Sequence, residues 1–73
     1  MELLVINTGK GYVRVGRGDY SLCGLERASV FPMDELDTVR GHVQRLRERN
    51  YGTVSINRLI MREEPFDDQE KQK

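Results

Sequence analysis

The 73-residue sequence has little of several residue types that specify particular classes of protein. A single cysteine, Cys23, excludes an internal disulfide framework and is typical of a chain kept in a reducing compartment. The single histidine, His42, has no second histidine and no further cysteine at the spacing of a zinc site. We therefore expect neither a metal nor another cofactor.

The sequence also lacks an excess of charge and a long hydrophobic run. Twelve basic and twelve acidic residues balance, so no overall field attracts the chain to nucleic acid or to an anionic membrane. The longest apolar run, residues 3–6, is too short for the core of a signal peptide or for a membrane span. These observations favour a cytoplasmic protein that does not enter a membrane.

One segment, residues 32–50, has a helical period. Pro32 suits the first turn of a helix, and Gly52 predicts a left-handed residue that ends it. The apolar residues recur at intervals of three and four, which places them on one stripe of a helix. They are Leu36, Val39, Val43 and Leu46.

Short segments of β type surround this helix. Residues 3–6 and the alternating residues 12–15, separated by a glycine-rich turn, predict a hairpin. Residues 28–31 predict a third strand that runs into the helix, because the residue before a proline favours extended backbone. Residues 53–61 predict a closing strand. The alternation of apolar and polar residues in this strand breaks down near Arg58. This indicates either a bulge there or a second half of the strand that is covered on both faces.

These elements predict one α+β domain over residues 1–64. It has a small, mainly antiparallel sheet of three to four strands, with one amphipathic helix packed on one face, in the order ββ(β)αβ. Pro65 ends strand pairing, and the acidic and polar residues 65–73 predict a disordered tail.

The segment Ala28-Ser29-Val30-Phe31-Pro32, between a hairpin and an amphipathic helix with one closing strand, resembles small phage- and prophage-type bacterial proteins. These share an Ala-x-x-Phe strand before the helix and a terminal strand after it. The resemblance covers residues 3–62 and implies the ββ(β)αβ arrangement. The group has no common activity, so the resemblance implies no substrate, cofactor or site residue.

The strands carry more apolar residues than one helix can cover, since a single helix covers only one face of a small sheet. Contiguous apolar surface of this kind marks interfaces. The leading hypothesis is a non-enzymatic protein-interaction domain that uses the other face to form a homodimer or to bind an unidentified protein. In the competing interpretation, residues 20–27 or the tail cover that face. The residues assigned to the face away from the helix are Tyr12, Phe31, Leu59 and Met61.

The arginines support an alternative function. Nine of the twelve basic residues are arginine, the type suited to bidentate phosphate contacts. Arg40 and Arg47 share a flank of the predicted helix, while Arg14 shares a strand face with Tyr12, on which a base could stack. The alternative is therefore a nucleic-acid-binding module that uses these residues. A solvated helix with ion pairs such as Asp37–Arg40 explains the same pattern.

Two further features have simple interpretations. Cys23 lies about twenty residues before His42, so only tertiary packing could pair them, and the sequence predicts no enzyme. Arg17-Gly18-Asp19 spells an integrin-binding tripeptide. Without a secretion signal it predicts a tight turn instead.

Overall fold

The computed structural model describes residues 1–66, so the part of the predicted tail at residues 67–73 lies outside the described residues. The described chain forms a five-stranded antiparallel sheet with one helix packed against it, which confirms the α+β class. The strands are β1 (Glu2–Thr8), β2 (Gly11–Val15), β3 (Tyr20–Cys23), β4 (Val30–Pro32) and β5 (Val54–Ile60), and the helix is α1 (Leu36–Glu48). Single 3₁₀ turns at Leu25–Arg27 and Met33–Glu35 precede β4 and α1.

Strand β1 is the centre of the sheet because three other strands pair with it. One edge pairs along the whole of β1 with β5. The opposite edge is shared, since Asn7 and Thr8 pair with β2 while residues 3–5 pair with β4. Leu4, Val5 and Ile6 are all buried, so this part of β1 is covered on both faces, and a continuous apolar run fits that environment.

The expected irregularity near Arg58 does not occur. The pairing of β5 with β1 keeps one register from Glu2 opposite Ile60 to Thr8 opposite Val54, so there is no bulge. Ile60 is exposed, so the far half of β5 is not covered on both faces either. Both interpretations of the broken alternation were wrong.

Ser29 fills the space between β2 and β4. Its backbone N–H donates to the carbonyl oxygen of Val13 at 3.1 Å. Its Oγ accepts a hydrogen bond from the backbone N–H of Val15 at 2.8 Å. Ser29 is therefore bonded to β2, while the N–H of Ala28 donates to the carbonyl of Leu25 at 3.1 Å. Strand β4 begins at Val30, two residues later than predicted.

The sequence pattern missed one strand. Residues 20–23 pair with β2 as β3, with Tyr12 opposite Cys23 and Val15 opposite Tyr20. This segment widens the sheet to five strands, where three to four were predicted. It was hard to recognise because only four residues pair and they end directly before Gly24.

The predicted apolar stripe of α1 packs on one face of the sheet. Val39, Val43 and Leu46 are buried, and Leu36 is half-buried. They form the core together with four residues of the sheet. These are Leu4 and Ile6 on β1, Val13 on β2 and Val54 on β5. This core occupies only the side of the sheet that faces the helix.

The helix ends at a left-handed residue, but that residue is Asn50 rather than Gly52. Asn50 has a φ of 64°. Its N–H donates to the carbonyl of Arg47, and the N–H of Tyr51 donates to the carbonyl of Leu46. This pair of bonds is a Schellman motif, in which asparagine can replace the usual glycine.

Candidate functional site

The register assigns each strand residue to the helix side or to the helix-free side of the sheet, because directly paired residues share a face. Leu4 and Ile6 contact the helix, so the odd-numbered residues of β1 point away from it. Leu3 lies opposite Leu59 on this helix-free side. Met1 and Met61 continue the ladder beyond β5 through two hydrogen bonds of 2.8 Å, one of them from the N-terminal ammonium.

An apolar patch occupies one end of the helix-free side. Met1 is 81% exposed and Met61 is 46% exposed. Leu3 and Leu59 are half-buried beside them, and Val30 is exposed on β4. An open hollow of about 450 Å³ adjoins Met1 and Met61. We call this surface the helix-free patch, and its residues are Met1, Leu3, Val30, Leu59 and Met61.

The middle of the helix-free side is closed. Val5 pairs with Val30 and Asn57 on this side, yet it is only 2% exposed. Its neighbours therefore leave no access there. Val30, opposite Val5, stays 44% exposed, so the accessible apolar surface extends from Val30 on β4 to the end of β1 and β5.

The register places three of the four predicted interface residues on the helix-free side. Leu59 and Met61 belong to the patch. Tyr12 lies opposite Asn7, four residues along β1 from Leu3 and thus about 13 Å away. Tyr12 is therefore on the same side as the patch but apart from it.

The placement of Phe31 on the helix-free side was wrong. Phe31 lies opposite Leu4 and packs against the core from the helix side. Its ring centroid is 5.8 Å from that of His42. Alternation separates Val30 from Phe31, but it does not determine which of them faces the helix, and the larger ring fills the space beside α1.

The predicted nucleic-acid residues do not form one surface. Arg14 alternates with the buried Val13, so it lies with Tyr12 on the helix-free side. Arg40 and Arg47 are on α1, across the sheet and beside β5. Arg40 makes the predicted ion pair with Asp37 at 3.5 Å.

A cluster around Tyr20 was missed by the sequence analysis. The Tyr20 hydroxyl lies 2.9 Å from Nδ1 of His42, and the guanidinium of Arg45 lies 3.5 Å from the same hydroxyl. The guanidinium of Arg49 stacks 5.2 Å from the centre of the Tyr20 ring. The Tyr51 hydroxyl donates to the backbone carbonyl of Tyr20 at 3.2 Å. These contacts hold β3 against the C-terminal half of α1 and the residues directly after it.

The hydrogen-bond chain in this cluster suits a neutral histidine. Arg45 donates to the Tyr20 oxygen and also lies 3.3 Å from Nδ1 of His42. Because a guanidinium can only donate, an unprotonated Nδ1 suits this position, and it can then accept from the Tyr20 O–H as well. Burial, followed by the positive charge of Arg45, lowers the pKa of His42 below its ordinary value of 6.5. Asp19 lines a small hollow together with Tyr20, His42 and Arg45.

We expect the free energy of unfolding to fall as the pH drops below the unfolded pKa of His42, 6.5. The unfolded chain then binds a proton at this residue that the folded chain still excludes, so acid favours unfolding. The test is urea unfolding between about pH 7.5 and about pH 5.5, compared with His42→Gln. The two proteins share every other ionisable group, so the variant should show the shallower pH dependence. Equal slopes would contradict the prediction.

The structure does not bring Cys23 and His42 together. Cys23 lies opposite Tyr12 on the helix-free side of the sheet, where its thiol approaches the Tyr12 carbonyl at 3.8 Å. The Arg17-Gly18-Asp19 segment forms the predicted tight turn. The N–H of Gly16 donates to the Asp19 carbonyl at 2.9 Å, and Gly18 has a φ of 76°.

Within residues 1–66, no three histidine, cysteine, aspartate or glutamate side chains are grouped closely enough to hold a metal ion. The helix found in this part of the chain is not one that could cross a membrane. No family model, no curated protein and no solved structure matches the sequence. The resemblance to phage-type proteins stays a prediction.

Proposed function

We propose that the protein is a non-enzymatic interaction domain that forms a homodimer through the helix-free patch. The observation that carries this proposal is the direct pairing of Met1 with Met61 and of Leu3 with Leu59 on the side away from the helix. Both methionines are well exposed. A contiguous apolar surface of this kind favours association, because burial removes it from water. The free thiol of Cys23 supports a cytoplasmic location.

The composition of the helix-free side favours a second copy of the chain as the partner. Among the strand residues on this side, only Arg14 is charged, and it lies on β2. A strongly charged partner would find few charged side chains to pair with there, whereas two copies of the patch bring no like-charged side chains together. The N-terminal ammonium of Met1 is the one charge within the patch, and it donates to the carbonyl of Met61. At its rim, Arg62 and Glu63 carry opposite charges. That arrangement suits a two-fold interface, in which each surface meets its own copy.

The size of the domain supports the same proposal. A core of this size rarely supplies more than about 3–5 kcal/mol of net stability. Association that buries the patch adds to the stability of the folded state. The strand β3 does not remove the patch, because residues 20–23 join the sheet at its edge instead of lying over its second face.

Light scattering after size exclusion tests the proposal. We expect a molar mass of twice the 8.5 kDa of one chain. The same mass is expected at low and at high salt, because salt screens interactions between charges but not the burial of apolar surface. Met61→Glu places a charge within the patch and should weaken the dimer at least about tenfold, because a buried unpaired charge is costly. The matched control is Leu22→Glu on the helix side of β3, where the side chain is 41% exposed.

Circular dichroism separates association from folding in this experiment. Met61→Glu and Leu22→Glu should both keep the helical signal of the original protein. A second patch variant, Val30→Lys, changes a residue on the neighbouring strand β4 and should also dissociate the dimer. A monomeric starting protein, or a dimer lost in Leu22→Glu and retained in Met61→Glu, would overturn the proposal.

A further inference from the structure

Strand β5 has one edge that no strand in residues 1–66 pairs with. Met1 and Met61 exchange backbone hydrogen bonds, and the N–H of Gly9 donates to the carbonyl of Thr53. Hydrogen-bonded pairs recur at every second residue of an antiparallel ladder, so the odd-numbered residues of β5 bond to β1. The backbone N–H and C=O groups of the even-numbered residues point away from β1. These residues are Val54, Ile56, Arg58 and Ile60.

A groove of about 470 Å³ runs beside this free edge, between β5 and α1. The buried Val43 and Val54 form its floor, the half-buried Ile56 adds apolar surface, and Arg40 and Arg47 supply its charge. The guanidinium of Arg47 donates to the carbonyl of Val54 at 3.0 Å. This bond satisfies the first free carbonyl and leaves the edge open from Ile56 onward. We call this surface the edge groove.

The edge groove carries surplus positive charge. Asp37 pairs with Arg40 at 3.5 Å, and Glu2 pairs with the neighbouring Arg58 at 3.8 Å. For Arg47, no carboxylate within residues 1–66 lies in ion-pair distance. Three guanidinium groups thus face two carboxylates. An acidic ligand would find charge complementarity here that the helix-free patch does not offer.

We propose that the free edge of β5 binds an extended acidic segment of a partner protein as an additional strand. The backbone groups of Ile56, Arg58 and Ile60 supply the ladder of hydrogen bonds. Alternate side chains of the added strand project to the helix side. There, acidic side chains meet Arg40 and Arg47.

A second copy of the chain fits this edge poorly. Two β5 strands paired around a two-fold axis would form one continuous sheet with both helices on the same side. That arrangement would bring the arginines of both edge grooves toward each other, and like charges oppose association. The edge itself is open to an incoming strand, because residues 54–60 contain no proline and their register contains no bulge.

The probe is the synthetic peptide Glu-Val-Glu-Val-Glu-Val-Glu with both ends blocked, added to the isotope-labelled full chain. We expect saturable changes in the amide signals of Ile56, Arg58 and Ile60, with slower hydrogen exchange at the same amides. Two control peptides separate the contribution of side-chain charge from that of backbone hydrogen bonding. Replacement of every glutamate by lysine should abolish binding. N-methylation of the glutamates should also abolish it, because in an antiparallel added strand the residues with side chains on the helix side are those whose N–H groups donate to the even-numbered residues of β5.

Protein variants test the groove itself. Arg40→Gln and Arg47→Gln, combined, should weaken binding of the acidic peptide at least about tenfold and reduce its salt dependence. Arg14→Gln, on the other side of the sheet, should leave the affinity unchanged. Absence of binding at about 1 mM peptide, equal binding of the lysine peptide, or changes centred on the helix-free patch would overturn the proposal. The dimer is tested separately by Met61→Glu, so either proposal can fail alone.

Discussion

Replacement of Leu46 by alanine is expected to lower the free energy of unfolding by about 2–5 kcal/mol. Leu46 lies in the last full turn of α1, is fully buried, and packs in the same core as Ile6 and Val13. Truncation removes the apolar transfer energy of the lost atoms and leaves a cavity that the sheet cannot fill. Since a domain of this size has only about 3–5 kcal/mol of net stability, most of it would be lost.

Urea unfolding followed by circular dichroism measures this change. The matched control is Leu22→Ala, which shortens an exposed leucine of β3 and should change stability by no more than about 0.5 kcal/mol. Both proteins must be compared at one protein concentration, because a dimer makes apparent stability depend on concentration. A loss below about 1 kcal/mol for Leu46→Ala would contradict the central position of this residue.

The sequence predicted the elements that have a clear period. The stripe from Leu36 to Leu46 repeats over three helical turns, so both the helix and its buried face were predictable. The hairpin of residues 3–6 and 12–15 was predictable because an apolar run and an alternating run are joined by glycines. The closing strand followed from its own alternation. In each case the signal lies within one segment of the chain.

The elements that depend on distant contacts could not be predicted in this way. Tyr20 owes its position to His42 and Arg45, which are 22 and 25 residues away. The side of the sheet on which Phe31 lies depends on the pairing of β4 with β1, which alternation does not determine. Asn50 and Gly52 both allow a left-handed backbone, so the pattern did not show which one ends the helix.

The two proposed surfaces also differ in how much of them the sequence indicated. Leu59 and Met61 were recognised as surplus apolar residues, and the register added Met1 and Leu3 beside them. The edge groove depends on which edge of β5 stays free, and this follows only from the strand order. With β1 paired on both sides, β5 is left at the border of the sheet, next to the arginines of α1.

The glycines of the first turn give a matched pair of substitutions with opposite expectations. Gly11 has a φ of 152°, which side chains of L-residues rarely adopt, and a Cβ there would lie 3.2 Å from the backbone carbonyl oxygen of Cys23. Gly9, two residues earlier, has no positive φ, and a Cβ added to it would meet no heavy atom within 4 Å. Gly11→Ala therefore strains the backbone and pushes β3 away, whereas Gly9→Ala meets open space.

We expect Gly11→Ala to lower the free energy of unfolding by about 2–3 kcal/mol, because backbone strain and displacement of a neighbouring strand act together. Gly9→Ala should be neutral or should stabilise by up to about 1 kcal/mol, since it restricts the unfolded chain. Urea unfolding gives both values, and hydrogen exchange at Tyr12 and Cys23 reports whether β2 and β3 separate in Gly11→Ala. Equal effects of the two substitutions would show that the close approach of β3 to Gly11 does not constrain this turn.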